Sequence, residues 1–123
     1  MIGSESADCI FCKIIAGQMT SSQLYEDEAF IVIRDIRPQA KVHLLVIPKE
    51  HIASLDQAFS EQGTRRSDLI GKLFEVGTKV ARQQGLLPEG FRAVINHGKN
   101  GGQTVFHLHL HILGGEPLRE YFG

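Results

Sequence analysis

The chain has no tryptophan, two cysteines and four prolines among its 123 residues, and no apolar run that approaches the length of a membrane span. Each shortage excludes something. Cys9 and Cys12 are too few to staple a small secreted domain, and the opening residues MIGSESADCIF carry no basic segment followed by a long apolar stretch. Reduced thiols or a metal clip are the readings left for them. A surplus of one charge is missing too: 13 Lys and Arg against 14 Asp and Glu leave a formal net charge of -1, spread along the chain. That removes the basic field with which a nucleic-acid-binding domain attracts its partner, while a local phosphate site needs no such field. We therefore expect one soluble, cytoplasmic domain over residues 1–123, with neither nucleic acid nor membrane as partner and enough chain to bury a core.

What is present orders itself into alternating patterns. In DCIFCKIIAG, the spacing of Ile10, Phe11, Ile14 and Ile15 predicts a short amphipathic helix, capped by Asp8 and ended by Gly17 in a left-handed conformation. QLYEDEAFIVIRD predicts two strands around an acidic turn, the second apolar on both faces from Phe30 to Ile33 and hence central. HLLVIP, residues 43–48, predicts a third strand. Ser54 and Gln57 resemble a capping box over a turn or two of helix, followed by a solvated loop, SEQGTRRSD. Leu69, Ile70, Leu73, Phe74, Val76, Val80 and Ala81 mark the longest helix, from Asp68 to Gln84, weakened at Gly71 and Gly77 and stopped by Gly85. FRAVIN and VFHLHLHIL predict two last strands joined by the loop HGKNGGQT. Strands grouped apart from helices predict an α+β fold: a five-stranded antiparallel sheet with one long and one short helix.

Three of the six histidines fall within HLHLHI, residues 107–112. On a strand, His107, His109 and His111 share one face, roughly 6.6 Å apart at about 3.3 Å rise per residue, so two of them can reach one metal or one phosphate. Chance decoration of a solvated face accounts poorly for so strict an alternation beside a glycine-rich loop. Two chemistries fit it: a His-x-His pair holding a catalytic metal with an open position, or a histidine nucleophile attacking phosphorus. The preceding loop favours phosphorus. Gly101 and Gly102 allow close backbone approach to an anion, Asn96 and Gln103 add amide donors, and Thr104 adds a hydroxyl. A plain hairpin turn explains the loop equally well by itself.

HLHLHIL fits the signature of the histidine triad (HIT) superfamily, and NHGKNGGQTVFHLHLHILGG resembles its nucleotide-binding branch; DCIFCKIIAG and DIRPQAKVHLLVIPKEHI extend the likeness over nearly the whole chain. The resemblance implies a homodimer that cleaves at the α-phosphate of a purine nucleotide, such as a nucleoside phosphoramidate or an adenylated amine, with no cofactor required for catalysis. It implies His109 as the nucleophile forming a nucleotidyl-histidine, His111 on the phosphate, and His107 and His43 in support. It further implies Asn96, Gly102, Gln103 and Thr104 at the phosphate, Asp35 at the ribose hydroxyls, and Ile36, Phe11 and Ile14 as walls of the base pocket. Some bacterial members bind a structural zinc through a pair like Cys9 and Cys12 plus two histidines, here His51 and His107; reduced cysteines are the alternative. A metal-dependent hydrolase, or a nucleotide- or partner-binding module with incidental hydrolysis, are the competing functions. The chain departs from the family pattern at Thr104, where Ser is frequent, and at Arg37, Lys41, Met19 and Thr20.

Overall fold

The sheet is built around β3 (Val42–Pro48), whose residues 43–48 are all buried because both faces of the strand are covered. In the computed structural model, which describes residues 8–60 and 66–120, the elements run α1 (Ile10–Ile15), β1 (Gln23–Glu26), β2 (Phe30–Arg34), β3, α2 (Leu55–Ala58), α3 (Ser67–Gln83), β4 (Phe91–Val94) and β5 (Leu110–Gly114). The strands form one sheet in the order β1-β2-β3-β5-β4, with every neighbouring pair antiparallel. The α+β class and the five strands are as expected, and the capped turn after β3 makes a third, one-turn helix. Among the described residues no helix is long and apolar enough to cross a membrane.

Alternation along the central strands divides the molecule into two faces. Phe30, Val32, Leu44, Val46, Leu110 and Ile112 pack with Leu69, Leu73, Val76, Val80 and Ala81 of α3 into the larger core. Each fully buried aliphatic side chain there contributes about 1.5–3 kcal/mol. Gly77 lets the helix lie close on the sheet: a Cβ on it would stand 3.0 Å from Leu110 Cδ2 and 3.3 Å from Ile112 Cδ1. The opposite phase, Ile31, Ile33, Leu45 and Ile47, packs against Phe11, Cys9 and Cys12 of the α1 region. His43 shares that phase, and His111 pairs with Leu45 in the register, so the histidines lie on the face that α3 does not cover.

Local details differ from the expectations where a side chain or a neighbour competes. Cys9, not Asp8, caps α1: its Sγ accepts the Cys12 N–H at 3.3 Å, while Asp8 is exposed. Gly17 does end the helix at φ +79°, with its N–H on Ile14 O and the Gln18 N–H on Lys13 O, a Schellman arrangement. At α2, Ser54 Oγ accepts the Gln57 N–H, but the reciprocal donor to Gln57 Oε1 is the N–H of Ala53, one residue before the cap. Residues 61–65 of the expected loop lie outside the described residues.

Candidate functional site

The histidine row is not one strand. The strand expected over 105–113 begins only at Leu110; residues 105–109 leave the ladder and cross the segment after β3, where the Leu108 N–H donates to Ile52 O at 2.7 Å. Only His111 sits in the sheet, and the three imidazoles meet different partners.

His107 is 0% exposed and lies at one end. Its Nε2–H donates to the Pro48 carbonyl at 2.8 Å, which turns the Nδ1 lone pair toward Cys9 Sγ at 3.3 Å, Cys12 Sγ at 3.6 Å and His51 Nδ1 at 3.1 Å. His51 Nδ1 is also 3.3 Å from Cys12 Sγ. One ligand atom from each of Cys9, Cys12, His51 and His107 lies within 4.8 Å of the other three. A tetrahedral ion with bonds of about 2.05 Å to nitrogen and about 2.3 Å to sulfur needs edges of about 3.3 Å between nitrogens and about 3.6 Å between nitrogen and sulfur. The donor set and its spacing fit such an ion, and the bond from His107 to Pro48 is the outer-shell support that metal-bound histidines have. Burial pushes His107 down to about 4, with His51 and His109 adding to the effect, and burial lowers His51 as well. Both imidazoles are thus neutral near neutral pH, as ligands must be.

At the other end, His43 Nδ1 accepts the Gln39 N–H at 3.0 Å, so the proton of its neutral ring sits on Nε2. That Nε2–H faces His111 Nδ1 at 2.9 Å and Asp35 Oδ2 at 3.4 Å. His111 is thereby held with Nδ1 as acceptor and its own Nε2 protonated. Asp35, His43 and His111 also lie close enough together to hold a metal, but the outer shell opposes it. A metal on His43 Nε2 would move the ring proton to Nδ1, against the Gln39 N–H. Burial lowers His43, with the Asp35 carboxylate acting against it. His111 is pushed down to about 4 by burial and then by His109 and His43.

His109 lies between the two groups and belongs to neither. It is 7% exposed, its Nδ1–H donates to the His107 carbonyl at 2.7 Å, and Phe11 packs edge-on against its ring with centroids 5.0 Å apart. Nε2 is then left with an available lone pair, and burial lowers the pKa so that it stays unprotonated. The ring centroid of His111 is 4.9 Å away. An imidazole nitrogen with an available lone pair thus stands beside a neutral N–H donor.

The glycine loop differs from the expectation. Gln103 does not offer its amide as a free donor: it is buried, and both ends of its carboxamide are engaged. Oε1 accepts the Gly98 N–H at 2.8 Å, and Nε2 donates to Ala53 O at 2.7 Å and Val105 O at 3.1 Å. Asn96 Nδ2 donates to Gly101 O at 2.8 Å. The N–H groups of Gly101, Gly102 and Gln103 turn back onto Gly98 O, Lys99 O and Gly98 O, so they are engaged within the loop itself. A loop coiled this tightly satisfies its own donors first. Gly101 has to be glycine, because a Cβ would stand 2.4 Å from His97 O. Thr104 follows the loop as an exposed residue.

Of the remaining candidates, Asp35 accepts the Arg37 N–H on Oδ1, as a strand-end turn requires, and turns Oδ2 to His43. Phe11 is buried beneath His107 and His109, Ile14 is half-buried against it, and Ile36 is 88% exposed. The backbone groups of Gln39 and Pro48, which set two tautomers, have no side-chain signature by which a sequence reveals them.

The HIT domain model matches residues 16–118. Among similar proteins, the purine nucleoside phosphoramidase of Escherichia coli K12 is 37% identical over 111 residues, 90% of each chain. A HIT family hydrolase from Legionella pneumophila has a TM-score of 0.85 at 40% identity, covering 92% of this chain and 97% of that one. A zinc-bound histidine triad family protein from Mycobacterium smegmatis has a TM-score of 0.77 at 38% identity, covering 94% and 83%. With the family model matching residues 16–118 and these relatives matching over most of their length, the chain belongs to the histidine triad (HIT) family, with that family's hydrolase-type function.

Proposed function

We propose that the protein hydrolyses purine nucleoside phosphoramidates or adenylated amines at the α-phosphate, through a covalent nucleotidyl-His109. The observation that carries this reading is the pairing of tautomers: His109 Nε2 with a lone pair, fixed by the His107 carbonyl, beside His111 Nε2–H, fixed by His43 and Gln39. His109 Nε2 attacks phosphorus, and the bond to the leaving nitrogen breaks with its electron pair, the amine drawing a proton from water. The ring becomes cationic as it is phosphorylated, and its Nδ1–H then makes a stronger, charge-assisted bond to the His107 carbonyl. His111 Nε2–H meets a phosphoryl oxygen, with Thr104 as a second donor. Water then attacks the same phosphorus and releases the nucleoside monophosphate, and the pair returns to His109. The name of the E. coli relative supports the substrate class.

In this reading Asp35 accepts the ribose hydroxyls, exposed Ile36 flanks the base, and Phe11 and Ile14 support the pocket from beneath. Catalysis needs no metal. Zinc at Cys9, Cys12, His51 and His107 is structural, tying the α1 end to the triad segment; the zinc-bound relative supports it. We further propose a homodimer acting in the cytoplasm. The test is intact mass after mixing with a reactive adenylate and quenching with base, which preserves a phosphorus–nitrogen bond. One nucleotide mapped to His109 is expected; an adduct that forms unchanged in His109→Ala defeats the proposal.

A further inference from the structure

The Gln103 side chain joins three pieces of backbone: the start of the glycine loop at Gly98, the loop's exit at Val105, and Ala53 in the segment after β3. That segment is held from its other side by the triad itself, because the Leu108 N–H, between His107 and His109, donates to Ile52 O at 2.7 Å. The same segment starts with His51, which meets Cys12 and His107. Residues 51–53 thus form a strut with the metal-type group at one end, the triad on one side and the glycine loop on the other. At 6% exposure, with both ends of its carboxamide bonded, Gln103 has no donor left for a ligand. We infer that Gln103 is a positioning residue that bolts the glycine loop to the strut, and so sets the distance between Thr104 and the His109–His111 pair without itself contacting substrate.

The functional part of this inference rests on the proposed phosphate chemistry; the structural part does not. Gln103→Met keeps the length and volume of the side chain and removes all three bonds. In the ligand-free protein the Gly98 amide, which loses its acceptor, exchanges with solvent at least about tenfold faster, while amides of β3 and β5 keep their protection. With ligands, affinity for a nucleoside monophosphate falls about tenfold toward that of the bare nucleoside, whose own affinity stays within about twofold. For phosphoramidate turnover kcat falls more than KM rises, because the loop is misplaced mainly for the transition state.

Unchanged Gly98 exchange together with weakened monophosphate binding shows Gln103 to be a direct phosphate ligand and overturns the inference. Faster exchange throughout the sheet shows a general structural role and overturns it as well. If the wild type binds no monophosphate at all, the proposed function fails while the exchange measurement still tests the bolt. Should Gln103→Met not fold, the side-chain amide signals of wild-type Gln103 replace it. Slow exchange and positions unmoved by added monophosphate are expected, and a large ligand-induced shift overturns the inference.

Discussion

His107 and His111 are four residues apart, have the same side chain and are both pushed down to about 4 by burial, yet their surroundings make opposite demands on them. Around His107 the partners are sulfurs and another imidazole, and the backbone acceptor at Pro48 clears Nδ1 for a cation. Around His111 a backbone donor at Gln39 orders the protons through His43, and the arrangement ends in an N–H suited to an anion. The difference lies in the polarity of one backbone group at each end: a carbonyl makes a metal-type group, an N–H makes a donor chain. Ligand-grade side chains within reach of one another are therefore a weaker sign of a metal site than the tautomer their outer partners impose.

The largest effect follows from the histidine that stands between the two groups. His109→Ala removes the lone pair that either group only supports, so phosphoramidate turnover falls at least about a thousandfold while nucleoside monophosphate affinity changes less than about threefold. Stopped-flow turnover and calorimetry on the same preparation check this; comparable losses in both would return His109 to a binding role. Next comes Cys12→Ser, which strikes the His107 end alone. Zinc drops from about one per chain to below a tenth, and the thermal midpoint falls by about 5–15 °C, read by metal analysis and calorimetry. Turnover measured well below the new midpoint, and in wild type treated with chelator, stays within about threefold. A tenfold loss on chelation that one added metal ion restores would erase the distinction between the two ends.

Much of the fold is legible in the sequence, and the boundary of what is legible falls at identifiable residues. The double-sided apolar run of β2 and the helical spacing from Leu69 to Ala81 are set by burial, which the pattern of apolar residues reports directly. The alternation from His107 to Ile112 is equally legible, but only its last part is a ladder. A period of two belongs to any extended chain, and whether a ladder partner exists depends on where the segment of Ile52 runs. The grouping of Cys9, Cys12, His51 and His107 is legible only through family likeness, since the four come from three separate stretches of chain. The destination of an amide group is not legible at all: nothing in GGQT says that Gln103 turns inward to Ala53 and Val105.

Two smaller effects sharpen the contrast through pH. A buried histidine whose folded pKa lies below the ordinary value near 6.5 is protonated first in the unfolded chain as pH falls. Its contribution to stability is fully present above about 6.5 and is lost progressively as pH drops toward about 4, the value for His111. In Cys12→Ser, where no metal intervenes, the urea midpoint is therefore lower at pH 5 than at pH 7.5, and a flat profile would contradict the burial of the His43–His111 end. The smallest effect belongs to Asp35, whose carboxylate raises His43, His109 and His111 against the stronger pull of burial. Asp35→Asn removes that opposition, so the three pKa values fall further and the acid limb of kcat/KM, which reports the group that must be unprotonated in the free enzyme, moves to lower pH. Cys12→Ser leaves the limb in place, because its sulfur meets His51 and His107 at the other end. A limb that moved equally in both variants would mean that the two groups titrate as one, coupled through His109, whose Nδ1–H is bound to the His107 carbonyl and whose ring lies against that of His111.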